Sequence, residues 1–227
     1  MSSSTPPTFY FGYGSNLWLH QMSTRCPSST YQGIARLDNY KWIINERGYA
    51  NIVKVSPSSS TTQTQTTPSP ASTSRSSSSS SSSSTPDTTP HVYGLLFHLT
   101  THDERHLDKN EGVPLAYTKE YLPATFWSAT SPASKIDITT PPSETDKRVL
   151  VYIDRKRVTP GRPREEYVYR MNRGIEDAVA CGVPEEYVSG VMRGFIPEDD
   201  GGKEEGVMGE YAKRQAAEFR DESGVIE

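Results

Sequence analysis

The stretch FYFGYGSNLWLH, residues 9–20, is aromatic and apolar for five residues, breaks into Gly14, Ser15 and Asn16, and resumes with Leu17. Its first part, residues 9–13, has the composition of a β-strand, and residues 17–24 read as a short helix. A strand that passes through Gly-Ser-Asn straight into a helix presents backbone N–H groups at a helix amino terminus, where the peptide dipoles also favour negative charge. The stretch is therefore a candidate cradle for a carboxylate or an oxyanion. A Ser/Asn cap with glycine for the turn accounts for the same residues without any ligand, so the rest of the chain has to decide.

Working outward, residues 31–45 read as one or two strands, 116–127 as a strand pair or one long strand, and 148–154 as another strand. Residues 164–180 place Val168, Met171, Ile175, Ala178 and Val179 on one helical face, and Gly182 then stops the helix. A further short helix begins near Pro184. Residues 56–90 are almost pure Ser, Thr and Pro and hold nothing apolar to offset the entropy of ordering them. They are expected to be a disordered insertion. Residues 50–55, ANIVKV, and 91–99, HVYGLLFHL, flank it as strands, and the expectation is that they pair, with the insertion as an enlarged hairpin loop. A second Pro/Ser/Thr-rich loop is expected over residues 128–147.

Strands in the first two-thirds followed by helices argue for an α+β fold, a mixed sheet or small barrel carrying helices, rather than repeating βαβ units. The expected organisation is a flexible amino terminus over residues 1–7, one domain over 8–197 and an acidic carboxyl-terminal tail over 198–227.

Composition removes several function classes. The 227 residues carry a net charge of −4 and a pI near 5.8, so the surplus of Lys and Arg that phosphate-backbone binding needs is missing and nucleic acid is not expected as a partner. Cys26 and Cys181 are the only cysteines and have no Cys-x-x-Cys spacing, which argues against a disulfide framework and fits a reducing, cytoplasmic setting. Residues 1–11 lack the basic flank and apolar run of a signal peptide, and no apolar stretch is long enough to span a bilayer; neither membrane nor metal is expected. Neither cysteine has the helix amino terminus or neighbouring histidine that activates a thiol.

The second chemical candidate is THDERHLDKNEGVPLAY, residues 101–117. Thr101 and Glu104 have capping-box spacing, which predicts a helix over residues 102–109 terminated by Gly112 and Pro114. Glu111 then falls at the negative pole of the helix, where a carboxyl pKa rises, and a raised pKa suits a general base near neutrality. Glu111 could equally be one more solvated acid beside Asp103, Glu104 and Asp108. His102 and His106 are four apart, but with no third ligand in view they read as a polar helix face.

The order of three segments carries a resemblance. FYFGYGSNL, then NEGVPLAY, then VTPGRPREEYVYRMNRGIEDAVACGVPEEY together resemble the γ-glutamylcyclotransferase family, most of all its fungal members, over nearly the whole chain except the Ser-rich insertion and the last twenty-odd residues. The resemblance implies a small mixed β-barrel with flanking helices, and a carbon–nitrogen lyase that turns a γ-glutamyl amide into 5-oxoproline and a free amine without metal or organic cofactor. It implies Tyr13, Gly14, Ser15, Asn16 and Leu17 as the substrate-binding loop, Glu111 as the catalytic base, and Tyr167 as a further pocket residue. Gly12 stands where many relatives have Ala.

The chemistry explains why these residue types recur together: the substrate's own α-amine must lose a proton before it attacks its own γ-carbonyl, which needs a carboxylate beside the nitrogen and donors for the developing oxyanion. Other readings keep the fold but take glutathione or a γ-glutamyl conjugate of a secondary metabolite as substrate, or make the protein a non-catalytic scaffold recruiting partners through the insertion. Asn16 after Gly-Ser argues against glutathione, and Glu111 against a pure scaffold. The partner expected is a small γ-glutamyl compound, with monomer and homodimer both open.

Overall fold

The computed structural model describes residues 8–55, 89–131, 134–198, 206–221 and 223–225. Seven strands are formed: β1 Thr8–Gly12, β2 Thr30–Asp38, β3 Tyr40–Ile44, β4 Ala50–Lys54, β5 His91–Leu99, β6 Thr118–Ser128 and β7 Glu144–Ile153. Five of them close a barrel in the order β1-β5-β2-β6-β7. All its pairings are antiparallel except the seam, where β1 meets β7 in parallel through Tyr10 and Leu150. The barrel is thus small and mixed, as expected. Its interior is apolar because β5 and β7 contribute near-continuous buried runs, Val92–Phe97 and Val149–Ile153.

Strands β3 and β4 pair with each other as a separate two-stranded sheet. The expected pairing of residues 50–55 with 91–99 is not formed, because β4 takes β3 as its partner while β5 is flanked by β1 and β2. The two ends of the intervening segment still meet. Val55 N–H donates to the Asn39 carbonyl at 2.8 Å, and Asn39 N–H donates to the Pro90 carbonyl at 2.7 Å. Asn39 is left-handed (φ 66°), a conformation asparagine tolerates better than most residues, and it turns β2 into β3. The expected disordered insertion lies outside the described residues except for Thr89 and Pro90. The second loop is shorter than expected, since β7 starts at Glu144.

A 3₁₀ turn, Ser15–Leu17, and helix α1, Leu19–Arg25, follow β1. Helix α2 spans Thr101–Asn110. Its cap is Thr100, not Thr101: the Thr100 hydroxyl accepts from Asp103 N–H and donates to the Asp103 carboxylate. Consecutive threonines, each followed by an acid three residues on, made both registers plausible, and burial of Asp103 decides it. Helix α3, Glu165–Cys181, ends at left-handed Gly182. The short α4, Glu185–Tyr187, runs into a π-helical turn, Val188–Met192. Gly174 lets α3 press against the 3₁₀ turn, since a Cβ there would lie 3.0 Å from both Leu17 Cβ and Trp18 N.

Helix α5, Val207–Ala217, belongs to the region expected to be a tail. It is docked: Ala212, Gln215 and Ala216 are buried, and α5 packs on α1 and α3. Among the described residues no helix is long and apolar enough to cross a membrane.

Candidate active site

The turn after β1, the end of α2, the start of α3 and the segment after α5 surround one small cavity of about 50 Å³, lined among others by Tyr10, Tyr13, Gly14, Ser15, Asn16, Glu111 and Tyr167. Glu111 is the carboxyl-terminal cap of α2 and is only partly buried because it faces this cavity. Burial pushes its pKa above the ordinary glutamate value, while the charges of Arg25 and Arg47, the hydrogen bond from Asn16 and the charge of Arg170 hold it back.

Asn16 fixes the carboxylate. Its Oδ1 accepts from Gln21 Nε2 at 2.7 Å and from Arg25 Nη1 at 3.2 Å, so the amide cannot be flipped. Its Nδ2 therefore points the other way, donating to Glu111 Oε1 at 3.0 Å and to the Tyr10 hydroxyl at 2.8 Å. Ser15 is held in the same manner, its Oγ accepting from Gln21 Nε2 at 2.9 Å and Arg170 Nη1 at 3.0 Å. Arg170 is in turn clamped by a buried two-bond ion pair with Glu166.

Hydroxyl bonding separates five of the lining tyrosines by role. Tyr13, Tyr117 and Tyr152 donate hydrogen bonds, to the carbonyl of Tyr152 at 2.6 Å, the carbonyl of Ala50 at 2.8 Å and the carboxylate of Asp108 at 2.7 Å. Tyr10 and Tyr167 instead accept. The Tyr167 hydroxyl receives the backbone N–H groups of Ser15 and Ala50, each at 3.2 Å, and donates to no group among the described residues, so its own proton is left for the cavity. Burial raises the pKa of both phenols, that of Tyr10 far above its solution range, which keeps these protons in place at neutral pH. Gly14 makes room for this arrangement: a Cβ there would meet the Tyr167 hydroxyl at 2.9 Å and Ala50 Cβ at 3.1 Å.

These donors alter the expected cradle. Ser15 N–H is committed to Tyr167, and Leu17 N–H closes the 3₁₀ turn on the Gly14 carbonyl at 2.9 Å. The site's positive potential comes from side chains, with Arg25 and Arg170 both in the lining. Burial, then the repulsion of Arg170, brings the Arg25 guanidinium down to about 10, still protonated at neutral pH.

Comparison with known proteins identifies the fold. No family model matches the sequence, and no curated protein matches it. Solved structures do. One described as a γ-glutamyl cyclotransferase aligns over 92% of this chain and 99% of its own with a TM-score of 0.57 at 17% identity; an uncharacterized human protein aligns with the same figures. YkqA from Bacillus subtilis aligns over 86% of this chain and 57% of its own, TM-score 0.51 and 15% identity. The chain has the γ-glutamyl cyclotransferase fold.

Within that fold the residues named from sequence are brought together with one exception. Tyr13, Gly14, Ser15, Asn16, Glu111 and Tyr167 share the cavity. The Leu17 side chain does not; it is buried in the core beneath Gly174. Sequence reasoning missed Tyr10, Arg25, Tyr49, Tyr117, Tyr152, Arg170 and Phe219, all lining residues. Tyr10 was signalled by its place in the opening stretch, and the others had no local signal. His106 serves structure, its Nδ1 donating to the Arg25 carbonyl at 2.8 Å.

Proposed function

We propose that this protein is an enzyme that cyclises a γ-glutamyl amide to 5-oxoproline and releases the free amine. The observation that carries this reading is a partly buried carboxylate, Glu111, held in one orientation by Asn16 and sharing a small cavity with two phenols, Tyr10 and Tyr167, whose hydroxyls accept hydrogen bonds and so leave their own O–H free to donate. In this reading Glu111 accepts a proton from the substrate's α-ammonium. The freed amine attacks the γ-carbonyl carbon, forming the ring C–N bond as the carbonyl oxygen becomes negative. Tyr167 O–H donates to that oxygen, already positioned by two backbone amides and so needing no reorganisation. As the tetrahedral carbon collapses, its bond to the departing nitrogen breaks; Glu111 returns the first proton to that nitrogen and then relays the second from the ring nitrogen, so the products are the neutral lactam and the amine in its ammonium form. The α-carboxylate of the substrate is balanced by Arg25 and Arg170.

Incubating the purified protein with γ-glutamyl amides that differ in leaving amine, including glutathione, and measuring 5-oxoproline tests the reading. Release from at least one compound is expected; release from none of them defeats it.

A further inference from the structure

Three arginines, Arg25, Arg47 and Arg170, act on Glu111, and each is touched by the segment that follows α5 or by the end of α5 itself. Arg25 donates from Nε to the Ala216 carbonyl and from Nη2 to the Gln215 carbonyl, both at 2.8 Å. Arg25 and Arg170 lie over the ring of Phe219 at 5.7 and 5.6 Å, and that ring lines the cavity and meets Tyr49 edge-on. Arg47 pairs through Nη2 with the Asp221 carboxylate at 3.1 Å, the two side chains 2% and 1% exposed, and its Nε donates to Ser223 Oγ at 3.0 Å.

Arg47 differs from the other two. Arg170 is committed to Glu166 and Ser15, and Arg25 to Asn16 and two carbonyls. Arg47 stacks on the rings of Tyr49 and Tyr117, both cavity-lining, yet its buried Nη1 has no hydrogen-bond partner among the described residues. The buried Tyr49 hydroxyl likewise has no hydrogen-bond partner among the described residues. Buried donors without acceptors cost free energy and mark places where a partner is missing. The cavity is also small, about 50 Å³, against the several hundred Å³ usual for a bound small molecule. Phe219 lines the cavity against Tyr49, and Asp221, two residues further on, holds Arg47.

We propose that Arg47 is a second anion-binding position of this site, that Asp221 occupies it in place of a ligand carboxylate, and that α5 together with the residues after it up to Asp221 closes the pocket until a carboxylate-bearing ligand displaces Asp221. The inference rests on the pocket being a ligand site, as proposed above, but not on which reaction it performs. Displacement exchanges one carboxylate on Arg47 for another, so its charge stays compensated, while the ligand's second oxygen gains the idle Nη1 donor. Withdrawal of Phe219 supplies the volume.

Amide hydrogen exchange across Val207–Ala217 in the full-length wild-type protein tests this without requiring turnover. Glutarate, a dicarboxylate, should accelerate exchange of α5 about tenfold at a concentration near ten times its dissociation constant for the open pocket, and more at higher concentration, whereas neutral glutaramide at matched ionic strength should not. Asp221→Asn should exchange rapidly with no addition and respond little to glutarate. No acceleration by glutarate, or equal acceleration by glutaramide, overturns the proposal. The 5-oxoproline assay separately decides the cyclotransferase reading: a gated pocket with no product leaves the gate standing and removes the reaction.

Discussion

Glu111→Gln separates proton transfer from packing. Because Asn16 cannot flip, the introduced glutamine can keep the contact only by turning its carbonyl oxygen to Asn16 Nδ2, 3.0 Å from the carboxylate in the wild type. Its NH₂ then faces the position assigned to the substrate ammonium, a donor against a cation. Removing a general base costs about 10²–10⁴ in rate, and here the same group serves both proton transfers, so kcat should fall towards the upper end. Loss of a charge-assisted hydrogen bond worth about 1.5–3 kcal/mol should raise KM by roughly ten- to a hundredfold as well. Stability should move the other way. Burial raises the Glu111 pKa, so the folded protein holds this proton more tightly than the unfolded chain, and ionisation at neutral pH opposes folding. The neutral amide removes that penalty: Tm at neutral pH should equal or exceed wild type, and the difference should close as pH falls through the raised pKa towards the ordinary glutamate range. Glu104→Gln is the matching control, since Glu104 sits on the same helix paired with Lys119 and Thr8. Asp108, another carboxylate on this helix, is unsuitable because it accepts from cavity-lining Tyr152. The assay is steady-state release of 5-oxoproline with thermal unfolding of each variant. Equal loss of turnover in Glu111→Gln and Glu104→Gln, or a collapse of Tm in the former alone, would refute the reasoning.

Asn16→Ala removes the hydrogen bond that lowers the Glu111 pKa, so the acid limb of the kcat/KM profile should shift to higher pH; a limb left where it was would deny Asn16 this role. The same change strands Gln21 and Arg25 and should cost about 1–3 kcal/mol in denaturant unfolding. Gly14→Val places branched carbon against the Tyr167 hydroxyl, already 2.9 Å from a bare Cβ; displacing that donor should lower kcat about 10²–10³-fold, and a folded variant with full activity would remove Tyr167 from the oxyanion role. Deleting residues 58–88 should change Tm by only a few degrees, because both ends are tied to Asn39 and closure entropy depends weakly on loop length; a large fall in Tm would show that the deleted block packs on the domain.

Strands β1, β5 and β7 were readable because their apolar, β-branched and aromatic runs leave no other use for the residues, and α3 because its apolar face repeats at helical spacing. Pairing was not readable: β4 and β5 are neighbours in sequence only across a long insertion, and nothing local says that β3 outcompetes β5 for β4. The contiguous half of the candidate site, Gly14 to Asn16 with Glu111, stood out because a turn and a helix end are local events, while its roles and the addition of Tyr13 and Tyr167 came from the family resemblance. Tyr117 and Tyr152 enter the cavity through barrel register, while Arg25 and Arg170 look like surface charges until α5 and Glu166 cover them. The docking of α5 was hidden by its polar composition: among the described side chains of this helix the buried ones are small Ala212 and Ala216 and polar Gln215.

The cavity is sewn from distant parts of the chain. Tyr13 bonds to a carbonyl 139 residues further on, Ser15 to a hydroxyl 152 residues away, and Arg25 to a carbonyl 191 residues away. During synthesis, then, the Gly-Ser-Asn turn emerges from the ribosome long before anything exists to shape it. Until Tyr167 has been added, Ser15 lacks its phenol and the β1–β7 seam has only just gained its second strand, and Arg25 waits longer still for the Gln215 and Ala216 carbonyls. Nascent or prematurely terminated chains therefore carry no assembled cavity, and any activity recovered from cells counts only molecules translated past that point.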